Sequence, residues 1–176
     1  MEKINEEIII DNWFRKIISK DFIDKKWNKS NFLVASHSKV NEAVVILALD
    51  EEENILYLEE FRYWPEEKII NFPMWWIEQW DSKIDTLKKE LKEETWYSSE
   101  NIEFLFEWIV SNYEDTKIFY YIAKNCKKWK QNLEDTEFID LNKTSISNFE
   151  KMILEWKVKC PLTISCFYFA KWKWLV

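Results

Sequence analysis

At 176 residues and 47% hydrophobic composition, the chain is long enough for one domain with a sizeable core and short for two. Its net charge of -7 argues against duplex DNA, which needs Lys and Arg to neutralise phosphates, so no nucleic-acid partner is expected; a small anionic ligand stays open, because a bound cation reverses the local field. No apolar run approaches the ~18 residues of a membrane helix, and the acidic start MEKINEEIII lacks the basic and apolar regions of a signal peptide. No membrane partner is expected either. The three cysteines, Cys126, Cys160 and Cys166, are odd in number and at no metal-ligand spacing, which fits a reduced, cytoplasmic setting.

Residues 1–40 hold short strand-like pieces, IIIDNWFRKI and NFLVASHS, and form a strand-rich N-terminal extension to a main domain over 41–176. Residues 42–49 (EAVVILAL) predict a buried strand, from an unbroken apolar run rich in Val and Ile. An acidic turn at 50–54 leads to a second strand at 55–63 (ILYLEEFRY), and the two read as a hairpin. Residues 64–82 read as loop-rich. The spacing of Ile84, Leu87 and Leu91 predicts a helix over 84–95, with Lys88, Lys89 and Lys92 largely on other faces. Strands are predicted at 102–110 and 117–123, with a shorter one at 138–141. Helices follow at 147–155, behind a Ser-Asn cap region, and at 162–171, begun after Pro161. Strands and helices mix without regular alternation, which predicts an α/β sandwich on a mixed sheet.

One compositional fact is abnormal: there are 12 tryptophans and no glycine. At the usual ~7% Gly about twelve would be expected, and none at all has a chance on the order of a few in a million. Trp75, Trp76 and Trp80 fall in a loop-like stretch after Pro73, and Trp64 directly precedes Pro65. Trp129 lies between Lys128 and Lys130, a polar tip. Trp96 and Trp156 close helical runs, where Gly is the natural terminator. Two readings follow. The bland one is a Trp-rich protein with an unusual core. The sharper one is recoding: some bacterial codes read UGA as Gly and others as Trp, so these tryptophans stand where the native chain has glycine.

Glu90, Glu93 and Glu94 lie at i, i+3 and i+4, on one face of the predicted helix. Their mutual repulsion needs an offset, and a hard divalent cation with oxygen ligands provides one. The alternative is a solvated acidic face, helped by Lys89 and Lys92. From the triplet alone, that alternative is favoured.

The surrounding residues change the balance. The stretch WWIEQWDSKIDTLKKELKEETWY, residues 75–97, resembles the Nudix box, G-x5-E-x7-R-E-U-x-E-E-x-G-U with U apolar. Glu90, Leu91, Glu93, Glu94 and Tyr97 match. Trp75 and Trp96 take the two Gly positions, Asp81 replaces Glu and Lys89 replaces Arg. These last two keep charge but shorten a carboxylate and lose a guanidinium fork. Upstream, LYLEEFRY and NFPMWWIEQWD look like the matching segment of ADP-ribose and nucleoside-diphosphate-sugar pyrophosphatases, with Arg62, Phe72, Pro73, Ile77 and Asp81 in register; Asn71 and Met74 depart from it. LEDTEFIDL and LEWKVKCPLTI resemble the later segments of that branch, so the likeness covers about residues 40–170.

The resemblance implies a Nudix-type α/β/α sandwich with a mixed sheet and a loop–helix–loop metal site. It implies Mg²⁺ or Mn²⁺ held by Glu93 and Glu94, with Glu90 and the Met74 carbonyl as further ligands, on a small nucleotide substrate. Glu137 is the candidate to orient or deprotonate water, with Glu134 in reserve. For both, a surface acid is the competing reading. Arg62 would contact a phosphate or pair with a nearby acid. Tyr113 stands where ADP-ribose pyrophosphatases often carry Pro, and Tyr there is more familiar in dinucleoside-polyphosphate hydrolases. Three functions are therefore carried: hydrolysis of ADP-ribose or a nucleotide sugar, hydrolysis of dinucleoside polyphosphates or nucleoside triphosphates, and a catalytically silent nucleotide-binding module. Members of this branch are commonly homodimers through their N-terminal strands. His37, the sole histidine, reads as an ordinary loop residue.

Overall fold

Nine residues of one strand, β4 (Glu42–Asp50), organise the two layers around it. Side chains alternate across a strand. Ala43, Val45, Leu47 and Leu49 enter one core cluster and Val44, Ile46 and Ala48 the other. An unbroken apolar run of this kind is what a strand covered on both faces requires. The computed structural model in which this is seen describes residues 1–37, 39–62, 65–78, 80–129 and 139–176.

The other strands, in chain order, are β1 (Glu2–Asp11), β2 (Arg15–Ile23), β3 (Lys29–His37), β5 (Ile55–Arg62), β6 (Glu67–Asn71), β7 (Met74–Trp76), β8 (Tyr97–Ser98), β9 (Asn101–Ser111), β10 (Glu114–Lys128) and β11 (Ile139–Thr144). The helices are α1 (Lys83–Thr95), α2 (Ile146–Leu154) and α3 (Pro161–Trp172). The sheet order is β1-β2-β3-β10-β4-β5-β11, with β6 on β5, β7 on β4, and β8 and β9 on β10. β10 runs parallel to β4 and β3; the other pairings are antiparallel. The sheet is thus mixed.

Helices cover both faces of β4. Leu87 and Leu91 of α1 pack with Val44, Ile46 and Ala48. Phe149 and Ile153 of α2, and Cys166, Phe167 and Ala170 of α3, pack with the opposite set. This is the α/β/α layering the sequence predicts. No helix among the described residues is long and apolar enough to cross a membrane.

Several boundaries differ from the sequence reading. The piece IIIDNWFRKI is not one strand: it straddles the β1–β2 turn, where Asn12 Oδ1 accepts from the backbone N–H groups of Phe14 and Arg15. The hairpin of β4 and β5 is real but brief, limited to Ala48↔Leu56 and Leu49↔Ile55. β5 pairs with β11 from Ile55 to Glu60 and with β6 from Leu58 onward. The stretch 64–82 is less loop-like than expected, since it contains β6 and β7. Both are too short to show a pattern of their own and form because β5 and β4 offer pairing edges.

Tryptophan does not build the core among the described residues, although Trp76 packs against it. The largest fully buried rings are Tyr120, Phe72, Phe149 and Phe167. No tryptophan among the described residues is buried.

Candidate active site

Helix α1 presents the acidic triplet. Its start is fixed by Ser82, whose Oγ accepts from the Asp85 N–H at 3.1 Å, with Asp85 in the first turn and Lys92 in the last, as caps and the helix dipole favour. The three glutamates are not equivalent. Glu90 faces inward beside Leu87 and Leu91 and is 5% exposed. Glu94, one turn on, is half-buried, with its Oε2 atom shut off from solvent. Glu93 is exposed. The face therefore runs from interior to solvent rather than lying flat on the surface.

Two lysines of the helix are turned to other tasks. The Lys92 ammonium sits 4.7 Å from the Trp129 ring centroid, and Lys88 pairs with Glu100. Lys89 and Asp81, the two departures from the box, are exposed.

A cavity of about 730 Å³ opens at the N-terminal ends of β4 and β10, lined among others by Arg15, Arg62, Met74, Trp75, Trp76 and Lys159. Its cations arrive paired. Arg15 donates to Glu114 at 2.9 Å, Lys159 reaches Glu67 at 2.7 and 2.9 Å, and Arg62 pairs with Glu60. Asn71 also donates to Glu60, at 2.7 Å. Arg62 thus pairs with an acid, one of its two sequence-based readings, and it also lines the cavity. Pairs of this kind, with the cation largely exposed, contribute little to stability.

The glutamates of α1 do not line this cavity. β7 joins the two: it touches α1, and all three of its residues line the cavity. Met74 opens β7, paired with Val45. Tyr113 lies at the β9–β10 turn, exposed and outside the cavity lining; its carbonyl accepts from the Ala35 N–H at 2.7 Å. Glu134 and Glu137 lie outside the described residues.

Sequence reasoning missed Arg15 and Lys159. They come from β2 and from the lead into α3, 144 positions apart in the numbering of the chain, and no local pattern announces that they converge. His37 ends β3 rather than lying in a loop, and its ring stands 4.7 Å from that of Trp76. Burial, then the nearby Arg15 and Lys39 charges, push its pKa down, so the imidazole is neutral at pH 7. The Cys126 thiol is pushed up to about 12 by burial, and burial also raises that of Cys166. Neither is a nucleophile at neutral pH.

The donor set suits a hard divalent cation. It consists of carboxylate and carbonyl oxygen, without thiolate or imidazole. Among the described residues no three Asp, Glu, His or Cys side chains close around one point. Mg²⁺ does not need that, because it retains several waters and is bound through one or two carboxylates plus substrate phosphates.

No family model matches the chain. It is 31% identical over 126 residues to the methanol dehydrogenase activator of Bacillus methanolicus, covering 69% of this chain and 68% of that one. It is 24% identical over 114 residues to the ADP-ribose pyrophosphatase of Bacillus subtilis (strain 168), covering 63% and 62%. A crystal structure of an ADP compounds hydrolase superposes with a TM-score of 0.84 at 16% identity, covering 99% of this chain and 93% of that one. With the shared fold, the extent of the 31% match and the spacing of Glu90, Glu93 and Glu94 taken together, the chain belongs to the Nudix hydrolase family.

Proposed function

We propose that the protein is a cytoplasmic pyrophosphatase that cleaves ADP-ribose or a related nucleoside diphosphate sugar, releasing a nucleoside monophosphate and a sugar phosphate. The observation that carries this reading is a helix with a graded carboxylate face beside a cation-lined cavity large enough for a nucleotide. Glu93 and Glu94, with Glu90 and the Met74 carbonyl, would hold Mg²⁺ or Mn²⁺. Such an ion offsets phosphate charge and lowers the pKa of bound water. Arg62, Arg15 and Lys159 orient the diphosphate by exchanging their acid partners for phosphate oxygens. Glu137, with Glu134 in reserve, orients or deprotonates the attacking water. Tyr113 contacts the substrate from the β9–β10 turn if that turn folds inward.

At the two box positions now occupied by Trp75 and Trp96, the acting protein carries glycine. Indole rings on β7 stand where the cavity meets α1. The likeness to the Bacillus subtilis pyrophosphatase supports the substrate class.

The test is a substrate panel on the chain with glycine at 75, 76 and 96. ADP-ribose is expected to give AMP and ribose 5-phosphate with Mg²⁺ or Mn²⁺, and nothing after chelation. Turnover confined to dinucleoside polyphosphates or nucleoside triphosphates would move the protein to that branch, and calorimetric nucleotide binding without turnover would make it a silent module. The Bacillus methanolicus relative's name supports a second reading, activation of an alcohol dehydrogenase. That reading expects a rise in turnover when the chain is added to a separate assay of a methanol dehydrogenase.

We also propose a homodimer. β1 is an edge strand exposed along its whole length, and it carries Ile4, Ile8, Ile9 and Ile10 into solvent. Such an edge invites pairing with another chain. Light scattering on the eluting protein is expected to give twice the chain mass of 21.8 kDa, and a monomer after deletion of residues 1–11. A monomeric full-length chain at micromolar concentration would refute the dimer.

A further inference from the structure

We infer that the tryptophans of this chain mark glycine codons, and that its gene reads UGA as glycine. Backbone geometry carries this inference independently of the hydrolase reading. Seven described residues have φ in the left-handed region: Trp27, Glu53, Glu66, Trp96, Asn125, Trp156 and Trp174. Four are tryptophan. A bulky residue is a genuine outlier there, and chance placement would put about half a tryptophan among the seven.

The four sit at positions whose hydrogen bonds define why glycine is used. Each of the three described helices ends on one. After α2, Trp156 (φ 60) donates to Ile153 O at 3.0 Å and Lys157 to Met152 O at 2.9 Å. After α3, Trp174 (φ 59) donates to Lys171 O and Leu175 to Ala170 O, both at 3.0 Å. These are the paired bonds of the Schellman motif, whose left-handed residue is usually Gly. After α1, Trp96 (φ 56) donates to Lys92 O at 3.0 Å, the simpler left-handed cap.

Trp27 (φ 64) closes the β2–β3 turn, donating to Asp24 O while the Asp24 N–H donates to Asn28 O, both at 3.1 Å. That is a hairpin turn with a left-handed last residue, again a glycine position. The turn at Asp50–Asn54 has the same bonds with Glu53 in that place, so a side chain is tolerated there, at a conformational cost.

Burial supports the same conclusion. Trp27, Trp156 and Trp174 are 80%, 82% and 92% exposed, and Trp80, in a turn, is 90% exposed. Tryptophan is highly buried on average. An exposed indole in a left-handed turn gains nothing from packing and forfeits conformational freedom that glycine has. Four of the eleven described tryptophans are misplaced in this one way while glycine is absent from the chain, a pattern that points to a codon rather than to scattered substitutions.

The deciding measurement is peptide mass spectrometry on the chain purified from cells that carry the gene, covering positions 27, 96, 156 and 174. Glycine is expected at all four, each peptide lighter by an indole side chain. Tryptophan at any of them overturns the inference. The conformational cost of these tryptophans is measurable in recombinant protein. A W27G/W96G/W156G/W174G variant of the chain as written is expected to melt several degrees higher. W108G, in the extended strand β9, is expected to melt no higher, since glycine weakens a strand. A quadruple variant melting at or below its parent would remove the conformational support.

Discussion

Glu94→Gln, made in the chain with glycine at 75, 76 and 96, is expected to lower kcat by about a thousand-fold at saturating Mg²⁺ while leaving the fold intact. Gln has nearly the volume and helix propensity of Glu, so α1 and its Ser82 cap should persist. What disappears is one negative charge at a half-buried position with one oxygen shut off from solvent. If that carboxylate holds the metal, several kcal/mol of transition-state stabilisation go with it, and each ~1.4 kcal/mol is a factor of ten in rate. Glu100→Gln is the matched control. Glu100 is exposed and pairs with Lys88, and its loss should change kcat less than about two-fold, since such surface pairs contribute little. Wild-type turnover in the Glu94 variant would remove the proposed site from α1.

Phe149→Ala is expected to destabilise the protein by about 3–5 kcal/mol, the range for deleting a large buried ring. Phe149 is fully buried. Its ring stacks on Phe72 at 5.1 Å and 18°, and it lies 5.7 Å from Tyr57 and 5.5 Å from Phe167. No neighbour can move into the space without abandoning its own contacts, so a cavity remains. Natural domains have about 5–15 kcal/mol in total, so the loss should appear as a large drop in the urea midpoint with an unchanged slope. A loss below about 1 kcal/mol would mean that α2 does not dock on the sheet as described.

Legibility followed physical rules at each element. β4 was readable because both faces are buried, which erases alternation and leaves one apolar run. α1 was readable from the i, i+3, i+7 spacing of Ile84, Leu87 and Leu91, although Ile84 stands at the rim of the buried face. The acids of α1 stood out in the sequence because the box fixes many positions over a long span, and the fold sets them on one helix, from buried Glu90 to exposed Glu93. β7 was not, because three residues after a proline carry no period, and only pairing with β4 makes them a strand. Of the cavity's cations, Arg62 was singled out by the sequence and Arg15 and Lys159 were not, because they join it only once the sheet and α3 have formed. The lack of glycine beside twelve tryptophans was visible in composition, but the placement of four of them in the left-handed region needed φ angles. No sequence pattern says that all three described helices end in the left-handed region on the same residue type.

β4 has one more consequence. Its alternate side chains belong to two separate cores, so neither layer of helices can detach without exposing a strand on which the other depends. The two layers should therefore lose structure in one cooperative step, and the amides of Val44 to Ala48 should exchange with solvent only when the whole domain opens. The acids of α1 and the aromatic cluster under α2 lie on opposite sides of the sheet, yet they share a single stability.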